Sequence, residues 1–319
     1  MSYSEQYQSV DIEKLITSQT REWELARTGY RDLEEVRLRI IELDNGSIVK
    51  IQFNPARIRS SAARVDKQSV DSRPCFLCAG NLPKEQKGVD FGDRYTILVN
   101  PFPIFKKHLT IPLKEHSPQL IRGKFGDMLR LSRFLDDFII FYNGPRCGAS
   151  APDHFHFQAG NKGFMPVEKE FSRFARKIVA EKESCTIAAM EGYYRNAFIL
   201  EGGDIGILCL FFDKIYQILQ GMQEAEDEPM INILSGYGNG RWRVFVFPRS
   251  AHRPAQFFED GENKILISPA SVDLGGVFIT PRKEDFDKLD NKSVAGIFGQ
   301  VTPDNYEWQT LIKKLCNRK

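Results

Sequence analysis

The chain has 319 residues, 42% apolar, 27% charged and 12% aromatic, with a formal net charge of +2. That length fills one large domain or two ordinary ones, and the small charge gives no general pull toward nucleic acid or an anionic membrane. No apolar run approaches the ~20 residues of a membrane span, and the opening MSYSEQYQSVDIEKL lacks the apolar core of a signal peptide. The expectation is a cytoplasmic protein with neither nucleic acid nor membrane as a partner.

Along the chain, the spacing of charged and apolar residues predicts an amphipathic helix over residues 11–29. VRLRIIELDNGSIVKIQFNP reads as a hairpin turning at Asp44-Asn45-Gly46. Residues 57–72 are polar and basic and read as a loop. RPCFLCAGNLPKEQ is a second loop, carrying a Cys-x-x-Cys. YTILVNPFPIF and HLTIPL read as strands around a proline-rich turn. Apolar residues at Leu120, Phe125, Met128, Leu129, Leu131, Leu135, Phe138 and Ile139 predict one helix over 118–142. Another is expected over 168–183. The second half then echoes the first in the order strand, helix, strand: a strand over 194–200, a helix over 206–222, and MINILSGYGNGRWRVFVFPR as a hairpin turning at Gly238-Asn239-Gly240. Short helices are expected over 283–289 and 305–316. The fold expected is α+β, in two related halves over 1–190 and 191–319, each an antiparallel sheet with packed helices.

GASAPDHFHFQAG, from Gly148 to Gly160, holds two of the chain's five histidines. Its alternation predicts a strand with His154, His156 and Gln158 on one face and Phe155 and Phe157 on the other. An edge strand turning polar residues to water has the same pattern. A catalytic reading uses imidazole as a nucleophile toward phosphorus, neutral near pH 7. Gln158 can donate its amide to a phosphate oxygen. Gly148, Ala149 and Ser150 form a small-residue turn that a phosphate can approach closely. Of six cysteines, only Cys75 and Cys78 have the spacing of a zinc knuckle. Arg57, Arg59 and Arg64 suit either a solvated loop or phosphate contacts. His252, between Arg249 and Arg253, suits either a surface role or a phosphate contact.

His154-Phe155-His156-Phe157-Gln158, with its lead-in Gly148-Ala149-Ser150-Ala151-Pro152, resembles the active-site strand of the histidine-triad superfamily. It is most similar to the transferase branch, which includes galactose-1-phosphate uridylyltransferase, diadenosine tetraphosphate phosphorylase and the GDP-hexose phosphorylases. The resemblance implies two histidine-triad-like halves, of which only the first carries the histidine pair. It implies that His156 forms a nucleotidyl-histidine intermediate and that Gln158 contacts phosphate, with His154 and Ser150 beside them. Gln at the third position favours transfer or phosphorolysis over hydrolysis. Asp153, between turn and histidines, departs from the uridylyltransferase pattern. KIQFNPARIRSSAA resembles a nucleotide-contacting segment, implying contacts from Arg57 and Arg59. VNPFPIF implies Asn100 and Phe102 near base and ribose, and the turn implies contacts from Gly148 and Ala149. RPCFLCAGN resembles the zinc segment of uridylyltransferases, implying a structural Zn2+ on Cys75, Cys78, His116 and His154. FVFPRSAHRP and SPASVDLGGVFITPRKEDF resemble segments of the GDP-hexose phosphorylases.

The activity implied is nucleotidyl transfer or phosphorolysis on a nucleoside diphosphate sugar or a dinucleoside polyphosphate. The acceptor would be phosphate or a sugar phosphate, and a homodimer is implied. Hydrolysis at the same site, or nucleotide binding without chemistry, are the alternatives. The base stays open among guanine, uracil and adenine.

Overall fold

In the computed structural model, residues 10–58, 67–225 and 227–316 are described. The helices Val10–Glu22 and Glu24–Glu34 replace the single one expected, because the chain is extended at the buried Trp23 (φ −101°, ψ 111°). β1 (Arg37–Glu42) and β2 (Ile48–Phe53) form the expected hairpin, with Gly46 at φ 78° in its turn. Then come β3 (Gly88–Phe91), β4 (Tyr95–Val99), β5 (His108–Pro112), β6 (Phe138–Asn143) and β7 (His156–Asn161). A second set follows: β8 (Arg176–Lys182), β9 (Cys185–Met190), β10 (Phe198–Gly202), β11 (Ile231–Gly238) and β12 (Arg241–Pro248). β13 (Val277–Thr280) pairs in parallel with β2.

The two sets make one ten-stranded antiparallel sheet in the order β3-β4-β5-β7-β6-β11-β12-β10-β9-β8. Each set has the same topology. Three strands run in sequence, a helix follows, the fourth strand goes to the seam, and the fifth fills the gap between third and fourth. The helices are Phe125–Phe134 and Ile205–Met222. The histidine strand β7 and the strand β12 are therefore topological counterparts. β8 and β9 precede residue 191 in the chain yet pair in series with β10. Asn239 (φ 52°) and Gly240 (φ 74°) make the β11–β12 turn, where left-handed backbone suits Asn and Gly.

Three expectations are corrected. The helix over 118–142 is confined to Phe125–Phe134, and the run FIIFYN is strand β6, buried at every position. A strand covered on both faces is apolar throughout and loses the alternation that would reveal it. The helix over 168–183 is a single turn, Val167–Glu170, followed by β8 at the sheet edge, where charged residues face water. The helix Ile205–Met222 has the length and composition to cross a membrane, a property not seen in the apolar runs. Its apolarity is used here in the core: Leu208, Phe212, Ile215 and Leu219 are buried against the sheet, and Phe212 stacks on Phe125 with centroids 4.0 Å apart.

The sheet is covered on both faces. One carries Phe155, Phe157 and these helices; the other carries Phe141, Phe245 and Phe247 beneath β2 and β13. Beside the first core lies Glu228, 2% exposed. It accepts from the Tyr142 hydroxyl and the Ile121 N–H, each at 2.5 Å. Burial raises its carboxyl to about 7. A carboxyl raised in the folded state contributes most below its unfolded value, and that contribution fades as pH rises through about 7. Glu228→Gln is therefore expected to gain stability relative to wild type between pH 5 and 8, by roughly 2–4 kcal/mol over the full titration. Denaturant unfolding at several pH values checks this; a difference independent of pH would refute it.

Candidate functional site

β7 lies between β5 and β6. Phe155, Phe157 and Ala159 point into the helix-side core, so His156 and Gln158 take the opposite face. Gln119, fully buried, grips the strand. Its Oε1 accepts from the His156 N–H at 2.7 Å, and its Nε2 donates to the carbonyls of His156 and Asn143, both at 3.0 Å. The His156 ring donates Nδ1–H to the His154 carbonyl at 2.9 Å. The lone pair is thereby placed on Nε2, which no described residue hydrogen-bonds. Burial pulls the ring down to about 4, so it is neutral at pH 7.

Gln158 is oriented by a residue the sequence left in the background. The Ile104 N–H donates to His108 Nδ1 at 3.2 Å, which puts the His108 proton on Nε2. That Nε2–H donates to Gln158 Oε1 at 3.1 Å. The amide NH2 of Gln158 is then the end left for a ligand. Burial, and then the nearby Arg57, pull His108 down to about 3, so it stays neutral.

His156 and Gln158 line a cavity of about 580 Å³, together with Gly148, Ala149, Ser150, Arg57, Asn100 and Phe102. Gly148 has φ 94°, and a Cβ there would stand 2.5 Å from the Ala270 Cβ, so only glycine permits the contact. Arg73 donates to the Ser150 carbonyl at 3.3 Å and reaches Asp153 at 3.4 Å, which gives Asp153 an ion-pair partner behind the turn. Arg57 donates to the Phe102 carbonyl at 2.8 Å, and burial lowers its guanidinium to about 10. Asn100 accepts from the Phe102 N–H and donates to Thr110 Oγ1, both at 2.9 Å, so its side chain builds the turn. Arg59 and Arg64 lie outside the described residues.

Other cavity residues, His252 aside, escaped the sequence reading. Trp23, Leu25, Phe76 and Leu82 supply an apolar wall. His252, Arg253, Ser268, Ala270 and Asp273 supply a polar one from the second half. Trp23, alone among charged neighbours in REWELAR, was the one local signal. Gln119 was hidden in the expected helix.

His154 does not line the cavity. Its Nδ1 joins the Sγ atoms of Cys75 and Cys78 and a ring nitrogen of His116 in a cluster whose ligand atoms all lie within 4.8 Å of one another. Cys75 Sγ and His116 Nδ1 each stand 3.2 Å from His154 Nδ1, and Cys78 Sγ stands 3.2 Å from His116 Nδ1. These are near the ~3.3–3.8 Å edges of a tetrahedron built on ordinary zinc bond lengths. His154 Nε2 donates to the Leu113 carbonyl at 2.7 Å, which leaves Nδ1 with its lone pair for a ligand. The group can hold a metal ion.

A sheet of two like halves, with a His-x-His-x-Gln strand beside a small-residue turn, is the arrangement that the resemblance to the transferase and phosphorylase branch of the histidine-triad superfamily implies, and a family model over the second half supports that branch. More narrowly, residues 166–319 match a family model described as GDPGP1-like, C-terminal domain. Residues 15–161 match one described as a domain of unknown function, DUF4922. No curated protein matches the sequence. Crystal structures of yeast Ap4A phosphorylase Apa2 share the fold. One is 17% identical with TM-score 0.66, covering 92% of this chain and 97% of that one. The Ap4A complex is 16% identical with TM-score 0.64, covering 92% and 97%. The AMP complex is 15% identical with TM-score 0.62, covering 92% and 96%.

Cys75→Ser is expected to abolish stoichiometric binding of a divalent metal and to lower the Tm by several degrees, because ligand loss removes binding energy that is also folding energy. Metal content by mass spectrometry and a thermal melt check this; unchanged metal content would show that the cluster is not a site.

Proposed function

We propose that the chain is a nucleotidyltransferase of phosphorylase type, acting on a nucleoside diphosphate sugar or a dinucleoside polyphosphate through His156. The observation that carries this is the His156 ring: neutral, its Nδ1 proton committed to the His154 carbonyl, its free Nε2 on a cavity wall beside an oriented Gln158 amide. In the first step the Nε2 lone pair forms a P–N bond to the α-phosphorus, and the bond from that phosphorus to the leaving phosphate oxygen breaks. The ring gains positive charge, which its Nδ1–H shares with the His154 carbonyl. In the second step an oxygen of phosphate or a sugar phosphate attacks, the P–N bond breaks, and the electron pair returns to Nε2. Gln158, Arg57 and the turn N–H groups at Gly148 to Ser150 steady the equatorial oxygens.

The apolar wall of Trp23, Leu25 and Phe76 suits a nucleobase. The yeast structures carry AMP and Ap4A in this fold, which supports a nucleotide ligand. The Cys75, Cys78, His116 and His154 cluster suits Zn2+, since thiolates and imidazoles are its usual donors. Its role is to fix the head of β7 two residues before the nucleophile.

Intact-protein mass after incubation with GDP-glucose, UDP-glucose, ADP-glucose or Ap4A is expected to show a nucleotide adduct on the wild type and none on His156→Ala. A chiral thiophosphate donor is expected to react with net retention, because two in-line displacements cancel; net inversion would eliminate the covalent route. Gln158→Ala is expected to slow turnover about 100-fold or more. His108→Leu should slow it through the same amide, so the double variant should be no slower than Gln158→Ala. Additive losses would separate His108 from Gln158.

A further inference from the structure

The second half has no histidine pair, yet its loop after β12 reaches the cavity. We propose that Arg253, flanked by His252 and Ser268, is an anion site that binds orthophosphate, the second reactant, beside the turn at Gly148 to Ser150. Treating that phosphate as the attacking group rests on the two-step transfer proposed above. The anion site itself does not.

Arg253 spends Nε on the Ser268 hydroxyl at 3.1 Å, and its guanidinium lies 4.0 Å from the Phe257 ring centroid. Among the described residues no carboxylate pairs with it, and no hydrogen bond engages its two Nη groups. A half-buried guanidinium held by its stem, with its fork open to a cavity, presents the geometry that binds phosphate oxygens in pairs.

The loop behind it is built around a second cation. Arg249 is 1% exposed and gives all its hydrogen bonds to neutral oxygens. Its donors reach the carbonyls of Val301 at 2.9 Å, Pro269 at 2.8 Å, Ala251 at 2.9 Å and His252 at 3.1 Å, and the Asn232 Oδ1 at 2.5 Å. Arg249 thus fixes the backbone on both sides of Arg253 and Ser268, and adds positive potential behind them. Burial, with Arg253 and Arg249 next in effect, pulls His252 down to about 4, so it is neutral and adds polar atoms without competing charge. The carboxylate on this wall, Asp273, is raised to about 7 by burial and accepts from the Ala270 N–H at 2.9 Å.

The wall also lies against the small-residue turn. Gly148 approaches Ala270 so closely that no Cβ fits between them, and Pro269 is held by Arg249. An anion on Arg253 is therefore next to the turn proposed to hold the transferred phosphoryl group. Uncompensated positive charge at the edge of a low-dielectric cavity favours an anion strongly.

Orthophosphate binding to the full chain, measured by calorimetry and by 31P line broadening, tests the site. Arg253→Gln is expected to weaken it about tenfold or more, as loss of a charge-assisted contact does. Arg253→Lys should fall between, and it serves if the Gln variant fails to fold. The adduct formed from a nucleotide donor should be unchanged in both variants, while the KM for phosphate rises. Phosphate affinity within twofold of wild type in the variants, or no phosphate binding by the wild type, would overturn the proposal. A rise in donor KM alone would also overturn it, since Arg253 would then read the donor's distal phosphate. Phosphate binding that depends on Arg253, with no adduct on any donor, would leave the anion site standing and remove the covalent reading instead.

Discussion

The pair Asn143 and Asn232, facing each other across the seam between β6 and β11, is the contact on which the rest of the site depends. Asn143 Oδ1 accepts from the Asn232 amide at 3.0 Å and from the Ser271 N–H at 2.8 Å. Asn232 also donates to the Cys147 carbonyl at 2.8 Å and accepts from Arg249. Two buried amides thus hold the entry to the small-residue turn, the segment at Ser271 and the loop of Arg253. Each bond is made away from water, where an unmade one costs about 1–3 kcal/mol. The cavity is assembled around this seam, from chain segments more than a hundred residues apart.

The two halves share a topology but divide the work. On β7 the face opposite the helices carries His156 and Gln158. On its counterpart β12 the corresponding face carries Phe245 and Phe247, packed into the second core. The duplicated strand fills space with aromatic rings where the first strand leaves room for a ligand. The second half then contributes to the single cavity through the loop that follows β12. A cavity between two half-sheets gains polar groups from both sides without any insertion in either.

His156 is positioned by partners on every side. Gln119 fixes its backbone, the His154 carbonyl its proton, and the Cys-His cluster the residue two before it. His108 does the same for Gln158. Gln119 and His108 are buried and neutral. Neutral, saturated partners hold a side chain in one orientation without adding a competing charge beside it.

The histidine strand, its two faces, and the hairpin turns at Gly46 and Gly240 were legible in the amino-acid sequence. Side-chain alternation and backbone conformation follow from local covalent geometry, and every residue involved is near its neighbours in the chain. β6 and β8 were not legible, since one is apolar on both faces and the other is charged at a sheet edge. Their pairing decided their form. Asp273 carries no local mark of the cavity it lines, and Gln119 none of its grip on β7. Only strand order and the seam bring them to His156, because a cavity is made by contacts between segments remote in sequence, and those contacts exist only once the chain has folded.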